Sequence, residues 1–124
     1  MKKKEIFIVE DDDGIRELIE YLLISQDYKV QTFPNAERFK QTIDSRSPDL
    51  ILLDVMLPDG NGLEICECLG EKERTHNIPV LLMSAHAQVD TQKTANARDF
   101  IAKPFDIEDF LHRIEKHVKD HPAA

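Results

Sequence analysis

A chain of 124 residues, 41% hydrophobic and 32% charged, reads as one globular domain (1–124) with room for one real core. Its formal net charge of −8 repels nucleic acid and anionic lipid, so neither is expected as a direct ligand. The start "MKKKEIFIVEDDD" is too short in apolar residues for a secretory signal and no stretch is long enough to span a bilayer, which points to the cytoplasm.

The chain begins with a continuous β-branched and aromatic run, "EIFIV" (5–9), the pattern of a strand covered on both faces. Ile15, Leu18, Ile19, Leu22 and Leu23 then recur at helical spacing and predict a helix from about Gly14 to Ser25. "YKVQTF" (28–33) reads as a half-covered strand nearer an edge. Asn35 caps a helix expected to run to about Ser45, with Ala36, Phe39 and Ile43 facing inward. "LILLD" (50–54) is again apolar up to a terminal acid, and a loop with Pro58, Gly60 and Gly62 leads into a helix carrying Leu63, Ile65, Cys66 and Leu69.

"PVLLMS" (79–84) and "FIA" (100–102) supply the fourth and fifth strands. Between them, "AHAQVDTQKTANARD" (85–99) has Val89 as its only apolar residue larger than alanine, so its helix is expected to be short or poorly ordered. Asp106 caps a last helix with Ile107, Phe110, Leu111, Ile114 and Val118 in one stripe. Strict strand–helix alternation implies an α/β fold: a doubly wound, five-stranded parallel sheet with helices on both faces, joined by right-handed crossovers. Cys66 and Cys68 point to different faces of their helix with no metal-type partner nearby and read as inert thiols.

Ligands of such sheets bind outside the carboxyl ends of the strands. Those ends deliver Glu10 and Asp11, Asp54, Ser84, and Lys103 followed by Pro104. The run Glu10–Asp13 is the anomaly, because two carboxylates about 4 Å apart repel by roughly 4 kcal/mol at an effective dielectric near 20. Asp12 and Asp13 read as a solvated turn or helix cap. Glu10 and Asp11 read as half of a divalent-cation site that Asp54 completes. The five histidines, His76, His86, His112, His117 and His121, show no converging ligand spacing.

"IVEDD", "LLDVMLPDGNG", "PVLLMSA" and "FIAKPF" together resemble the receiver domain of two-component response regulators, in that family's order and over essentially the whole chain. The spacing departs once: Ser84 and Lys103 are 19 positions apart, fewer than is usual for the family. The resemblance implies the flavodoxin-like strand order 2-1-3-4-5. It implies that Asp54 accepts a phosphoryl group from a phosphohistidine on a sensor histidine kinase or phosphotransfer protein. Glu10, Asp11, Asp54 and the backbone carbonyl of Met56 would hold Mg²⁺ (or Mn²⁺). Ser84 would hydrogen-bond the phosphoryl oxygens and Lys103 would pair with them. Ser84 and Phe100 would be the switch residues, and Lys103–Pro104 a cis peptide. Met56 and His86 would flank the path of hydrolytic water. The helix before the fifth strand, that strand and the last helix would face a downstream partner or output domain, and a homodimer through the same face is open to it.

Three other readings compete. A phosphohydrolase with an aspartyl-phosphate intermediate needs a general acid two residues after the nucleophile, where this chain has Met56. Catalysis is therefore expected only of the chain's own phosphorylation and dephosphorylation. In a flavin carrier, "EDDDG" would repel the cofactor's phosphate. A degenerate receiver, binding partners without phosphorylation, is the alternative that the complete acid, hydroxyl and lysine set argues against.

Overall fold

The computed structural model describes residues 3–85 and 96–120. In chain order the elements are β1 (Glu5–Val9), α1 (Asp13–Ser25), β2 (Lys29–Phe33), α2 (Ala36–Ile43), β3 (Leu50–Asp54), β4 (Met56–Leu57), β5 (Gly60–Asn61), α3 (Gly62–Glu71), β6 (Val80–Ser84), β7 (Asp99–Ala102) and α4 (Ile107–Asp120). Five strands form one parallel sheet in the order β2-β1-β3-β6-β7, and β4 and β5 form a separate antiparallel hairpin. With the hairpin set apart, this is the expected order 2-1-3-4-5. The short helix expected within 85–99 falls mostly on 86–95, and with His86 it lies outside the described residues.

The central strands are apolar throughout because both their faces are covered. Every residue of β3 and β6 is buried, whereas β2, at the edge, buries fully only Phe33. Alternation along the strands sorts the core into two layers. Phe7, Val9, Ile51, Leu53, Val80 and Leu82 pack against α2 and α3, through residues such as Phe39, Ile43, Ile65 and Leu69. Ile6, Ile8, Leu50, Leu52, Leu81 and Met83 pack against α1 and α4, through Ile19, Leu23, Phe110 and Ile114. Phe33 sits edge-on to both Phe7 and Phe39, with ring centroids 5.1 and 5.7 Å away. Each such pair is worth about 0.5–1.5 kcal/mol beyond the area it buries.

Local chemistry sets the helix ends. Asp12 caps α1, its carboxylate accepting the Ile15 N–H at 2.9 Å, so the helix starts at Asp13 rather than Gly14. At its other end Asp27 turns the chain at φ 71°, a left-handed conformation that aspartate tolerates better than most residues. Asn35 caps α2 as expected, accepting the Arg38 N–H at 2.9 Å. That helix stops at Ile43, two residues short of the expectation, where Arg74 donates to the carbonyl of Ile43 at 2.9 Å and to that of Asp44. Asp106 accepts the Asp109 N–H at 3.1 Å at the start of α4. Cys66 is buried, which pushes its thiol up to about 11 and keeps it protonated; Cys68 is exposed. Among the described residues no helix is long and apolar enough to cross a membrane.

Candidate functional site

Each residue of the rim is placed by the end of a strand. Glu10 follows β1 and still bonds in the sheet, its N–H donating to the Phe33 carbonyl at 3.0 Å. The side chain is thereby carried inward and is 1% exposed, while Asp11, one residue on, is exposed. Arg16 braces the acidic turn from α1. It donates to the carbonyls of Glu10 and Asp11 at 3.0 and 3.4 Å and to the Asp13 carboxylate at 2.5 Å. Its charge offsets part of the repulsion that the run of four acids creates.

Asp54 ends β3 and is 5% exposed. Its Oδ1 accepts the Met56 N–H at 3.1 Å and its Oδ2 accepts from Lys103 Nζ at 2.9 Å. Lys103 follows β7, held by its own N–H to the Ser84 carbonyl at 2.8 Å, and its peptide to Pro104 is cis. The same ammonium also donates to Glu10 Oε1, and Glu10 Oε2 accepts the Asp12 N–H at 3.2 Å. Glu10, Asp11 and Asp54 each offer an oxygen, and these lie within 4.8 Å of one another. Ser84, buried, ends β6 beside them.

Burial, and then the neighbouring Asp54, push the Glu10 carboxyl up from 4.5 to about 7, with Lys103 acting the other way. Burial pulls the Lys103 ammonium down, but its bonds to Glu10 and Asp54 more than offset this, and it titrates above its usual range. At neutral pH the site is thus an ammonium wedged between two buried acids, with a third acid at the solvent side.

The backbone after Asp54 is folded tightly. Gly62 donates its N–H to the Val55 carbonyl at 2.8 Å, and a Cβ at Gly62 would lie 2.3 Å from the Asp54 carbonyl oxygen. Only glycine permits that approach. Between them the hairpin pairs Met56 with Asn61 and Leu57 with Gly60, and Met56 is 60% exposed. Phe100, half-buried, packs on the α2/α3 layer.

The structure therefore gathers Glu10, Asp11, Asp54, Ser84 and Lys103 at one edge, with Met56 beside them and Phe100 farther down β7. Sequence reasoning missed the hairpin, the brace from Arg16 and the role of Asp59, which accepts N–H bonds from α2. It also missed a cluster on β7 and α4, where Asp99 accepts from Arg113 at 2.6 Å and lies 3.1 Å from His117 Nε2. Arg113 pairs with Asp109 four residues earlier, a spacing legible in the sequence; the link to Asp99 is not.

A flavodoxin-like parallel sheet with this edge defines a receiver-type α/β domain. The chain belongs to the response regulator receiver domain family, whose sequence model matches residues 6–115. The transcriptional regulator RpaA of Synechocystis sp. is 36% identical over 112 residues, covering 88% of this chain and 46% of RpaA. The regulator NtrC of Proteus hauseri is 31% identical over 121 residues, 95% of this chain and 25% of NtrC. The chain thus spans between a quarter and a half of the length of these relatives, both named as DNA-binding regulators. Among solved structures, the response regulator TrrA of Thermotoga maritima, in complex with Mg²⁺ and BeF, superposes with a TM-score of 0.84. It is 25% identical, covering 92% of this chain and 98% of TrrA.

Proposed function

We propose that Asp54 accepts a phosphoryl group from a phosphohistidine on a sensor histidine kinase or phosphotransfer protein, and that the modification shifts the conformation presented to a downstream partner or output domain. The observation that carries this reading is the buried Asp54 carboxylate, held by Lys103 at one oxygen and by the Met56 N–H at the other. An aspartate can serve as a covalent nucleophile toward phosphorus. In the step, a carboxylate oxygen of Asp54 bonds to phosphorus as the bond from phosphorus to the donor imidazole breaks, and the imidazole leaves with the electron pair. Phosphoryl transfer depends mainly on positioning and electrostatics. The two hydrogen bonds set the carboxylate plane before the donor arrives, and the Lys103 ammonium faces the charge carried in by the phosphoryl oxygens.

The donor set suits a hard divalent cation. Mg²⁺ binds oxygen at about 2.1 Å in an octahedron, so its ligand atoms lie about 3 to 4.2 Å apart. Oxygens of Glu10, Asp11 and Asp54 within 4.8 Å of one another need only small adjustments, together with Lys103 turning from Glu10. Mg²⁺ or Mn²⁺ held there, with the Met56 carbonyl, would supply charge neutralisation between donor and acceptor. Ser84 completes the clamp as a hydroxyl donor, and Ser84 and Phe100 carry the switch. Met56, exposed beside the acceptor, hinders hydrolytic water; His86 is assigned to orienting it. The complete set of acids, hydroxyl and lysine favours this reading over a phosphorylation-independent module. DNA binding, part of the relatives' names, would belong to an output domain, and the surface of β7 and α4 is the candidate for partner or homodimer contact.

Incubation with Mg²⁺ and a small phosphodonor, followed by intact mass, tests the proposal. One phosphoryl group is expected on the wild type and none on Asp54→Asn. Labelling of that variant, or labelling independent of divalent cation, refutes it.

A further inference from the structure

The loop beyond the acceptor is anchored at two points. Its base is Gly62, pressed against the Asp54 carbonyl. Its tip is Asp59, which lies between β4 and β5 and reaches across to α2. Asp59 Oδ1 accepts the Ala36 N–H at 2.8 Å and Oδ2 accepts the Glu37 N–H at 3.0 Å. The first turn of a helix leaves its N–H groups without helical partners. Here Asn35 satisfies that of Arg38, and Asp59, 22 and 23 positions away in sequence, satisfies the two before it. The contact is close as well as polar: a Cβ at Gly60 would lie 3.3 Å from that of Ala36. The two N–H bonds hold the Asp59 carboxyl below the usual carboxylate range, so it is ionised at neutral pH, and the positive end of α2 favours that charge.

The stretch so anchored contains Met56, paired with Asn61 in the hairpin and bonded through its N–H to Asp54 Oδ1. We propose that Asp59 is a positioning residue for the phosphoacceptor site: by fastening the hairpin to α2 it fixes the Met56 backbone, and with it one cation ligand and one side of Asp54. The inference rests on the function proposed above and extends the site to a residue that touches neither cation nor phosphoryl group. It also makes α2 part of the site's scaffold.

A structural role alone would act through the stability of α2, and Asn35 provides the control, because it caps the same helix through the Arg38 N–H, whereas Asp59 ties the helix to the hairpin. Calorimetric titration of the full chain with Mg²⁺ alone, alongside thermal unfolding, separates the two. Both Asp59→Ala and Asn35→Ala should lower the melting temperature. Only Asp59→Ala should weaken Mg²⁺ binding, by about tenfold, the lower end of what loss of a supporting residue behind a metal ligand costs. Asp59→Asn, which keeps one acceptor oxygen, should fall between wild type and alanine, and it carries the test if the alanine variant does not fold. Unchanged Mg²⁺ affinity in the folded Asp59 variants, or equal weakening by Asn35→Ala, overturns the inference while leaving the proposed function intact. A wild-type protein that binds no Mg²⁺ overturns both.

Discussion

Glu10→Gln tests the electrostatics of the site most directly. Glu10 is fully buried, and its carboxyl titrates near 7 in the folded protein against an ordinary value of 4.5. Folding therefore favours the protonated form. Below pH 4.5 the group is protonated folded or unfolded and costs nothing. As the pH rises from 4.5 through 7 the unfolded chain loses its proton first, and the folded state pays increasingly for ionising a buried acid. At about 1.4 kcal/mol for each tenfold change in proton affinity, the full cost at pH 8 is about 3 kcal/mol. Glutamine keeps the shape and can still accept from Lys103, but it never ionises. In metal-free buffer Glu10→Gln should thus be more stable than wild type at pH 8 by as much as about 3 kcal/mol, on the order of 10 °C in melting temperature for a chain of this size. The difference should shrink to about 0.4 kcal/mol at pH 4.5, where the unfolded group is half ionised, and vanish below it. Thermal unfolding of both proteins in EDTA from pH 4 to 8 measures it, since the titrations of groups away from the site cancel in the comparison. Adding Mg²⁺ should stabilise wild type more than the variant. A variant less stable than wild type at pH 8, or a difference independent of pH, refutes the reasoning.

Two further outcomes follow from the loop after Asp54. Gly62→Ala places a methyl group 2.3 Å from the Asp54 carbonyl oxygen and 2.8 Å from Val55 Cα, both backbone. It should cost about 2–3 kcal/mol in urea unfolding, as overpacking against atoms that cannot move aside does, and a loss under 0.5 kcal/mol counts against the close contact. Met56→Ala removes an exposed side chain beside the acceptor and should shorten the half-life of the phosphorylated form with little change in stability, followed by intact mass over time. An unchanged half-life removes Met56 from the control of hydrolysis.

The strands were legible because a doubly covered strand has no polar alternation to confuse it, as "LILLD" and "VLLMS" show. The caps at Asp12, Asn35 and Asp106 were legible because capping is local. The candidate site was legible as a set of strand ends. Its internal pairing was not: nothing in "EDDDG" says that Glu10 turns into the protein while Asp11 stays in water, since consecutive acids differ only in where the sheet releases the chain. Asp59 escaped notice for a related reason. In "LPDGNG" it looks like an ordinary turn residue, and its partners, Ala36 and Glu37, lie more than twenty positions away and are backbone groups that any sequence offers. The hairpin has two residues per strand, below the length at which alternation carries a signal.

The period of two along each strand has one more consequence. Asp54 is in phase with Leu50 and Leu52, which belong to the layer under α1 and α4. Ser84 is in phase with Val80 and Leu82, and Phe100 lies beside Leu82 in the register of β6 and β7, on the layer under α2 and α3. The sheet is thus a partition between the two layers, and the rim residues stand at its top edge. A phosphoryl group on Asp54, as proposed above, would start on one side, and its effect on Ser84 and Phe100 would be delivered on the other. On the function proposed above, news of the event would cross the molecule over the rim.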